Sequence, residues 1–256
     1  MSNEEIKSQN AANDSSGDSQ AKKMKYTENS LDDWNKRWAD NRTGWHGEAV
    51  NSNLEKHFDK MLDGGRETIT VFLPMCGKTV DMKWIYDKGH SVIGVEFASK
   101  AIKDFYDEQG LAYIKEDVKE FNGTLYKSTD GRIKLYNCDF FEFQKSEDVE
   151  IDGIFDRGAL VAINRDDRIR YADKIKSLMS AGTQYMLVTM DYDETAYPGT
   201  PHFVAEEVIE ELYGKECNIK QIDYQDIFQT NPSYASWGLT TLNERVHQIN
   251  QKERGK

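Results

Sequence analysis

The 256-residue sequence predicts an α/β fold in which helices cover both faces of a mostly parallel sheet. Three observations carry that expectation. Apolar, β-branched runs such as Thr68-Ile69-Thr70-Val71-Phe72-Leu73 and Ser91-Val92-Ile93-Gly94-Val95-Glu96 lack the polar alternation of a half-solvated strand, so both faces must be buried. Helical stretches separate these runs. The last strands, by contrast, follow one another without a helix between them, which requires an antiparallel pair at the carboxyl end.

From Met1 to about Asn29 the chain is rich in Ser, Asn, Asp, Gln and Lys and has few large apolar residues. Such a stretch cannot offset its ordering entropy by burial and is expected to be a disordered tail. It lacks arginine, unlike a transit peptide. Ser30, followed by Asp32 and Asp33, reads as a helix start, with a hydroxyl capping free amides and carboxylates near the positive dipole end. Trp34 and Trp38 then fall on one face. That spacing alone describes core anchors; a place beside a pocket would make the indoles its wall. The turn Asn41-Arg42-Thr43-Gly44 leads to Trp45 and His46, and a second helix is expected from about Ser52 to Met61.

Thr68 to Leu73 is the first strand, interrupted by Pro74-Met75-Cys76-Gly77-Lys78. A helix from about Thr79 to Lys88, a Gly89 cap and a strand from Ser91 to Glu96 complete a βαβ unit. Further strands are expected around Ile133 to Cys138, Gly153 to Phe155 and Gln184 to Met190, with helices between them, notably Asp167 to Met179. The end of the chain reads as a helix from about Phe203 to Tyr213, a strand near Asn218 to Tyr224, a loop through Pro232 and a strand from about Gly238 to Gln248. The sum is a doubly wound, Rossmann-like, seven-stranded sheet over residues 30–250, with five parallel strands, a terminal antiparallel hairpin and a short tail at 251–256.

A formal net charge of −12 repels phosphate backbones and anionic lipid, so nucleic-acid and membrane partners are disfavoured and a small-molecule substrate is not. No window approaches the roughly 18 apolar residues of a membrane-spanning helix. The three cysteines, Cys76, Cys138 and Cys217, have no Cys-x-x-Cys spacing and leave one unpaired in any disulfide scheme. They fit a reducing, cytoplasmic setting and argue against structural zinc; a monomer is the default.

In an open α/β sheet ligands bind at the carboxyl ends of the strands where strand order reverses, and Pro74 to Lys78 is the first turn at that point. Gly77 permits close backbone approach. Glu96 ends the next strand, where an acidic side chain can take both hydroxyls of a ribose or merely form a turn. The turn has one glycine rather than Gly-x-Gly-x-x-Gly, so the pyrophosphate cradle of an NAD-binding oxidoreductase is missing. A cofactor with ribose and no phosphate, such as S-adenosylmethionine, suits it better. Asp139, Phe140 and Phe141 follow the third strand and offer adenine an acceptor and a flat wall, or else a cap beside two core rings. Asp156-Arg157-Gly158-Ala159-Leu160 closes the fourth strand. Arg157 could pair with a carboxylate, or its permanent charge could stabilise a bound thiolate. Asp191 and Asp193, at the end of the fifth strand, could hold magnesium, although isolated aspartates there usually serve turns, and no metal is expected.

The chain resembles the thiopurine S-methyltransferase family from about Leu31 to Leu242. The matching segments are Leu31-Asp32-Asp33-Trp34 with Trp38, Thr43 and His46; Pro74 to Lys78 with Met82-Lys83-Trp84; Gly89-His90-Ser91-Val92 with Gly94-Val95-Glu96; Asp156 to Asn164; and Ser236-Trp237-Gly238. The resemblance implies that Trp34 to Trp45, including Trp38, folds over S-adenosylmethionine, that Met75, Gly77 and Glu96 line its methionine and ribose portions, and that Asp139 and Phe140 flank adenine. It implies that Arg157 stands between cofactor and acceptor, that Trp45 faces an aromatic substrate, and that Pro198-Gly199-Thr200-Pro201, with Pro201, borders the acceptor pocket. Three places depart from the mammalian pattern: Thr200 replaces a proline, Trp45 the usual phenylalanine, and Asn231 to Ala235 a more basic stretch. A halide, thiocyanate or hydrogen-sulfide methyltransferase, or a non-catalytic binder of S-adenosylmethionine, would share much of this pattern. The expected reaction is methylation of a small aromatic or heterocyclic thiol, with S-adenosylhomocysteine as the second product.

Overall fold

Successive residues of the central strands point into different halves of the core, which is what burial on both faces requires. In β1 (Thr70–Leu73), Val71 and Leu73 join one apolar cluster and Phe72 the other. The same division holds for Val92 against Ile93 in β2 (Ser91–Glu96), Ile154 against Phe155 in β6 (Gly153–Arg157), and Leu187 against Met186 in β7 (Gln184–Asp191). The computed structural model describes residues 27–62, 65–230 and 232–253. Most of the expected amino-terminal tail, residues 1–26, and residues 254–256 of the carboxyl one lie outside these.

One face of the sheet is covered by Leu54 of α2 (Ser52–His57), Met82 and Ile85 of α3 (Asp81–Asp87), and Ile102, Phe105 and Tyr106 of α4 (Ser99–Glu108). The other carries Tyr171 and Ile175 of α5 (Arg168–Leu178) and Ile209 and Tyr213 of α6 (Glu206–Tyr213). The first helix, α1 (Leu31–Ala39), begins with a reciprocal cap: Asp33 N donates to Ser30 Oγ (3.2 Å) and Ser30 N to Asp33 Oδ2 (2.8 Å). The expected helix to Met61 keeps its α form only to His57 and tightens into a 3-10 turn over Phe58–Met61.

Strand order is β3-β4-β5-β2-β1-β6-β7-β9-β8, with β5 (Ile133–Asn137), β2, β1, β6 and β7 mutually parallel. β8 (Cys217–Asp226) and β9 (Asn243–Gln251) form the antiparallel hairpin, which joins the sheet through β9 against β7. Among the described residues the sheet has nine strands, not seven. The two extra strands, β3 (Tyr113–Val118) and β4 (Gly123–Ser128), make a hairpin antiparallel to β5. Its outer strand carries Lys115, Glu116 and Asp117 in sequence and is mostly exposed, so it shows no apolar alternation. Such a charged edge discourages pairing with another chain. From β1 the chain winds outward to β2 and β5 and then returns to β6 on β1's other side, so the reversal lies between β1 and β6. The exits of those two strands bracket the site.

Candidate active site

The turn leaving β1 is forced by two left-handed residues in a run of three, Met75 (φ 43°) and Gly77 (φ 54°). It brings Cys76 N onto Val95 O (2.9 Å) and Gly77 N onto Glu96 Oε2 (2.9 Å), while Ala98 N donates to Glu96 Oε1 (2.7 Å). Glu96 is only 7% exposed, and burial pushes its pKa up against the pull of those amides. Backbone amides of Gly77, Ala98 and Phe97 engage the carboxylate, whose two oxygens offer about four acceptor sites, so it keeps capacity for a ribose hydroxyl. Gly77 is needed for space as well as for φ: a Cβ there would stand 3.0 Å from the Trp38 indole, which closes the turn from above. Cys76 fills the gap beneath, where a Cβ on Gly94 would come within 2.7 Å of its sulfur. Burial, then the Glu96 charge, hold its thiol protonated, so it serves packing rather than nucleophilic attack.

The cover over this turn is aromatic. Trp45 meets Trp34 edge to face at 5.3 Å and Trp38 at 5.9 Å, with interplanar angles of 89° and 86°. Asn41 (φ 53°) turns the chain back after α1, and His46 N donates to Thr43 O (2.8 Å). Trp38 is buried, whereas Trp45 is 37% exposed. Arg157, the last residue of β6, donates from Nη1 to the Trp45 carbonyl (3.2 Å).

The turn that follows Arg157 is anchored by its neighbour. Asp156 is wholly buried; its Oδ2 accepts from the hydroxyls of Tyr171 (2.6 Å) and Tyr185 (2.8 Å), and its Oδ1 from Leu160 N (3.1 Å). Burial raises its pKa, and the tyrosine hydroxyls pull it back. Asp156 thus ties the turn after β6 to the core, a role that its position beside an arginine conceals in the sequence.

Asp139 and Phe140 follow β5 and take different places. Asp139 Oδ1 accepts from Phe141 N (2.9 Å), which closes a local turn. Phe140 sits in the core, 5.0 Å from the Tyr171 ring and 5.8 Å from that of Phe141. Phe141, read from the sequence together with Phe140 as a flat wall or a core ring, is half-buried beneath the Arg170 guanidinium (3.9 Å).

Beyond the Trp45 cover lies a second aromatic group. Tyr197 stacks on Trp237 at 4.5 Å and 10°, and Tyr234 stands 5.0 Å from the same indole. Burial pushes the Tyr234 phenol up, and the Arg157 charge opposes it. Tyr192 OH donates to the carbonyl of Pro201 (2.7 Å), which follows a cis peptide bond, and Tyr197 OH to Thr200 O (2.9 Å). The two aspartates weighed for magnesium are engaged elsewhere. Asp191 Oδ2 accepts from Arg245 (2.7 Å) and Tyr224 (2.8 Å), and Asp193 Oδ1 from the amide and hydroxyl of Thr195.

A reversed parallel sheet whose first turn leans on an acidic residue ending the second strand is the fold of S-adenosylmethionine-dependent methyltransferases. Such an enzyme from Anabaena variabilis superposes with a TM-score of 0.60 at 14% identity, covering 90% of this chain and 98% of its own. The 1,6-didemethyltoxoflavin-N1-methyltransferase of Burkholderia thailandensis, solved with S-adenosylhomocysteine, gives 0.56 at 15% identity, covering 88% and 87%. Within that class, the chain belongs to the thiopurine S-methyltransferase family, whose model matches residues 29–252. A probable thiopurine S-methyltransferase of Danio rerio is 44% identical over 223 residues, 87% of this chain and 95% of the relative. The thiopurine S-methyltransferase of Bos taurus is 39% identical over 87% of this chain and 90% of its own length.

Proposed function

We propose that this chain is an enzyme that methylates the sulfur of a small aromatic or heterocyclic thiol with S-adenosylmethionine, giving S-adenosylhomocysteine and a methyl thioether. The observation that carries the reading is the Arg157 to Trp45 hydrogen bond: it fixes a permanent cation at the end of β6 against the tryptophan cover that closes the turn leaning on Glu96. The cofactor fits the residues present, because Glu96 keeps acceptor capacity beyond its three backbone amides and the turn offers no pyrophosphate cradle. Bound there, S-adenosylmethionine supplies an electrophilic methyl group.

The chain's own residues do the rest. Glu96 holds the ribose, with Met75 and Gly77 shaping the backbone beneath it. Trp34, Trp38 and Trp45 exclude water, and Asp139 and Phe140 shape the adenine end, with Phe141 as its outer ring. The aromatic shelf and the Pro201 loop receive the acceptor ring and keep its sulfur in near-attack geometry. Arg157 stabilises the thiolate, so an acceptor that ionises near neutral pH needs no dedicated base.

The same proposal makes the enzyme a cytoplasmic monomer acting on small molecules rather than nucleic acid or membrane. Its support is the net charge of −12 and three free, buried cysteines, which suit a reducing compartment. Among the described residues no helix is long and apolar enough to cross a membrane. A competition assay distinguishes the acceptors: thiophenol should outcompete iodide and hydrogen sulfide for the methyl group, and preference for either small anion would overturn the thiol assignment.

A further inference from the structure

All four polar groups of Asn29, ahead of α1, are bonded to parts of the chain that border the two halves of the site. Its backbone amide donates to Asn164 Oδ1 (3.0 Å) and its carbonyl accepts from Asn164 Nδ2 (3.1 Å), a reciprocal pair with the segment following β6. Its side-chain Nδ2 donates to Thr200 Oγ1 (2.9 Å), beside Pro201. Its Oδ1 accepts from Arg37 Nη2 (2.6 Å) of α1. Two residues earlier, Thr27 N donates to Pro198 O (3.2 Å).

The Arg37 guanidinium continues the path by lying over the Trp34 ring at 4.7 Å. Trp34 meets Trp45 edge on, and the Trp45 carbonyl is held by Arg157. Direct contacts therefore run from the loop carrying Pro201, through Asn29 and Arg37, to the tryptophan cover and the rim cation. Most of this path consists of polar or charge-assisted bonds at half-exposed positions, which can break and reform without disturbing the core.

We propose that Asn29 is a positioning residue that couples the two halves of the site: by tying α1 to the Pro201 loop, it makes the occupancy of either half favour the closed cover. Each ligand then tightens the binding of the other by the same factor, as linkage demands. The inference rests on the reading that cofactor and thiol bind on opposite sides of Arg157. No bond is made or broken by Asn29 itself.

The test is a calorimetric box with S-adenosylhomocysteine and thiophenol, a pair that cannot react, measured on the full chain and on Asn29→Ala and Asn29→Asp. In the unaltered protein each ligand should raise the affinity for the other by ~5-fold or more, within the usual range of coupling. In Asn29→Ala the factor should fall towards one, while each ligand alone binds within about threefold of its normal affinity. Asn29→Asp, which can still accept from Arg37 and from the Thr200 hydroxyl, should recover most of the coupling. Unchanged coupling in Asn29→Ala would overturn the inference. So would losses in both single affinities with the coupling factor preserved, since that marks a purely structural role. If the unaltered protein binds S-adenosylhomocysteine but not thiophenol, the acceptor reading fails first, and the coupling with it.

Discussion

The guanidinium of Arg157 donates to the carbonyl of Trp45 at 3.2 Å, across 112 residues of sequence. The bond makes the end of β6 a support for the aromatic cover, and it leaves the remaining guanidinium donors for an anion in the site. Arg157→Ala should therefore lower kcat/KM for aromatic thiols on the order of 100-fold, as for the loss of an anion-stabilising donor. Arg157→Lys should recover only part, because an ammonium cannot serve carbonyl and thiolate in one plane. Steady-state kinetics checks this, and unchanged values for the alanine variant would remove Arg157 from the chemistry.

Glu96→Gln should weaken S-adenosylhomocysteine binding by about 1.5 to 3 kcal/mol, roughly 10- to 150-fold, because charged acceptors are lost to the ribose. The unaltered protein should also lose affinity on acidification. Burial raises the Glu96 pKa, so the carboxylate that must accept from the hydroxyls is neutralised at a pH above the ordinary carboxylate value, and affinity falls as pH drops through that raised value. Calorimetry across pH should show this dependence in the unaltered protein and not in Glu96→Gln.

Gly77→Ala meets two obstacles, a left-handed backbone costing about 1 to 2 kcal/mol and a Cβ 3.0 Å from the Trp38 ring. Cofactor affinity and Tm should both fall. Adding Trp38→Ala removes the steric part alone, so the double variant should lose less than the sum of the single losses. Strict additivity would show that the indole does not press on the turn.

Asp156→Ala leaves the hydroxyls of Tyr171 and Tyr185 and the amide of Leu160 without their acceptor inside the core. Each buried group so stranded costs about 1 to 3 kcal/mol, and urea denaturation should show a large drop in midpoint. Tyr171→Phe removes one donor and should cost less. An unchanged midpoint for Asp156→Ala would mean that the turn beside Arg157 is held by other contacts.

The central strands were legible because burial on both faces leaves continuous apolar runs, and Ser30 with Asp33 declared the start of α1 through capping chemistry. The β3–β4 hairpin was not, since Lys115, Glu116 and Asp117 point to solvent or the sheet edge and carry no pattern of burial. At the candidate site, the positions of Glu96 and Arg157 at strand ends and of Gly77 in the turn after β1 could be read from the sequence. Asp156 could not: its importance comes from Tyr171 and Tyr185, which lie 15 and 29 residues away. Phe140 and Phe141 are adjacent in sequence, and only packing decides that the first is buried and the second half-buried under Arg170. The bonds of Asn29 to residues 135 and 171 positions distant leave no local trace, and its polar neighbours gave the segment the look of a tail.

The most direct measurement is transfer of labelled methyl from S-adenosylmethionine to a panel of 6-mercaptopurine, thiophenol, hydrogen sulfide, iodide and catechol. Preferential labelling of the two aromatic thiols, with the methyl on sulfur by mass spectrometry, is the predicted result. Cofactor binding by calorimetry with no thiol labelled, or labelling confined to iodide, sulfide or catechol, would contradict it.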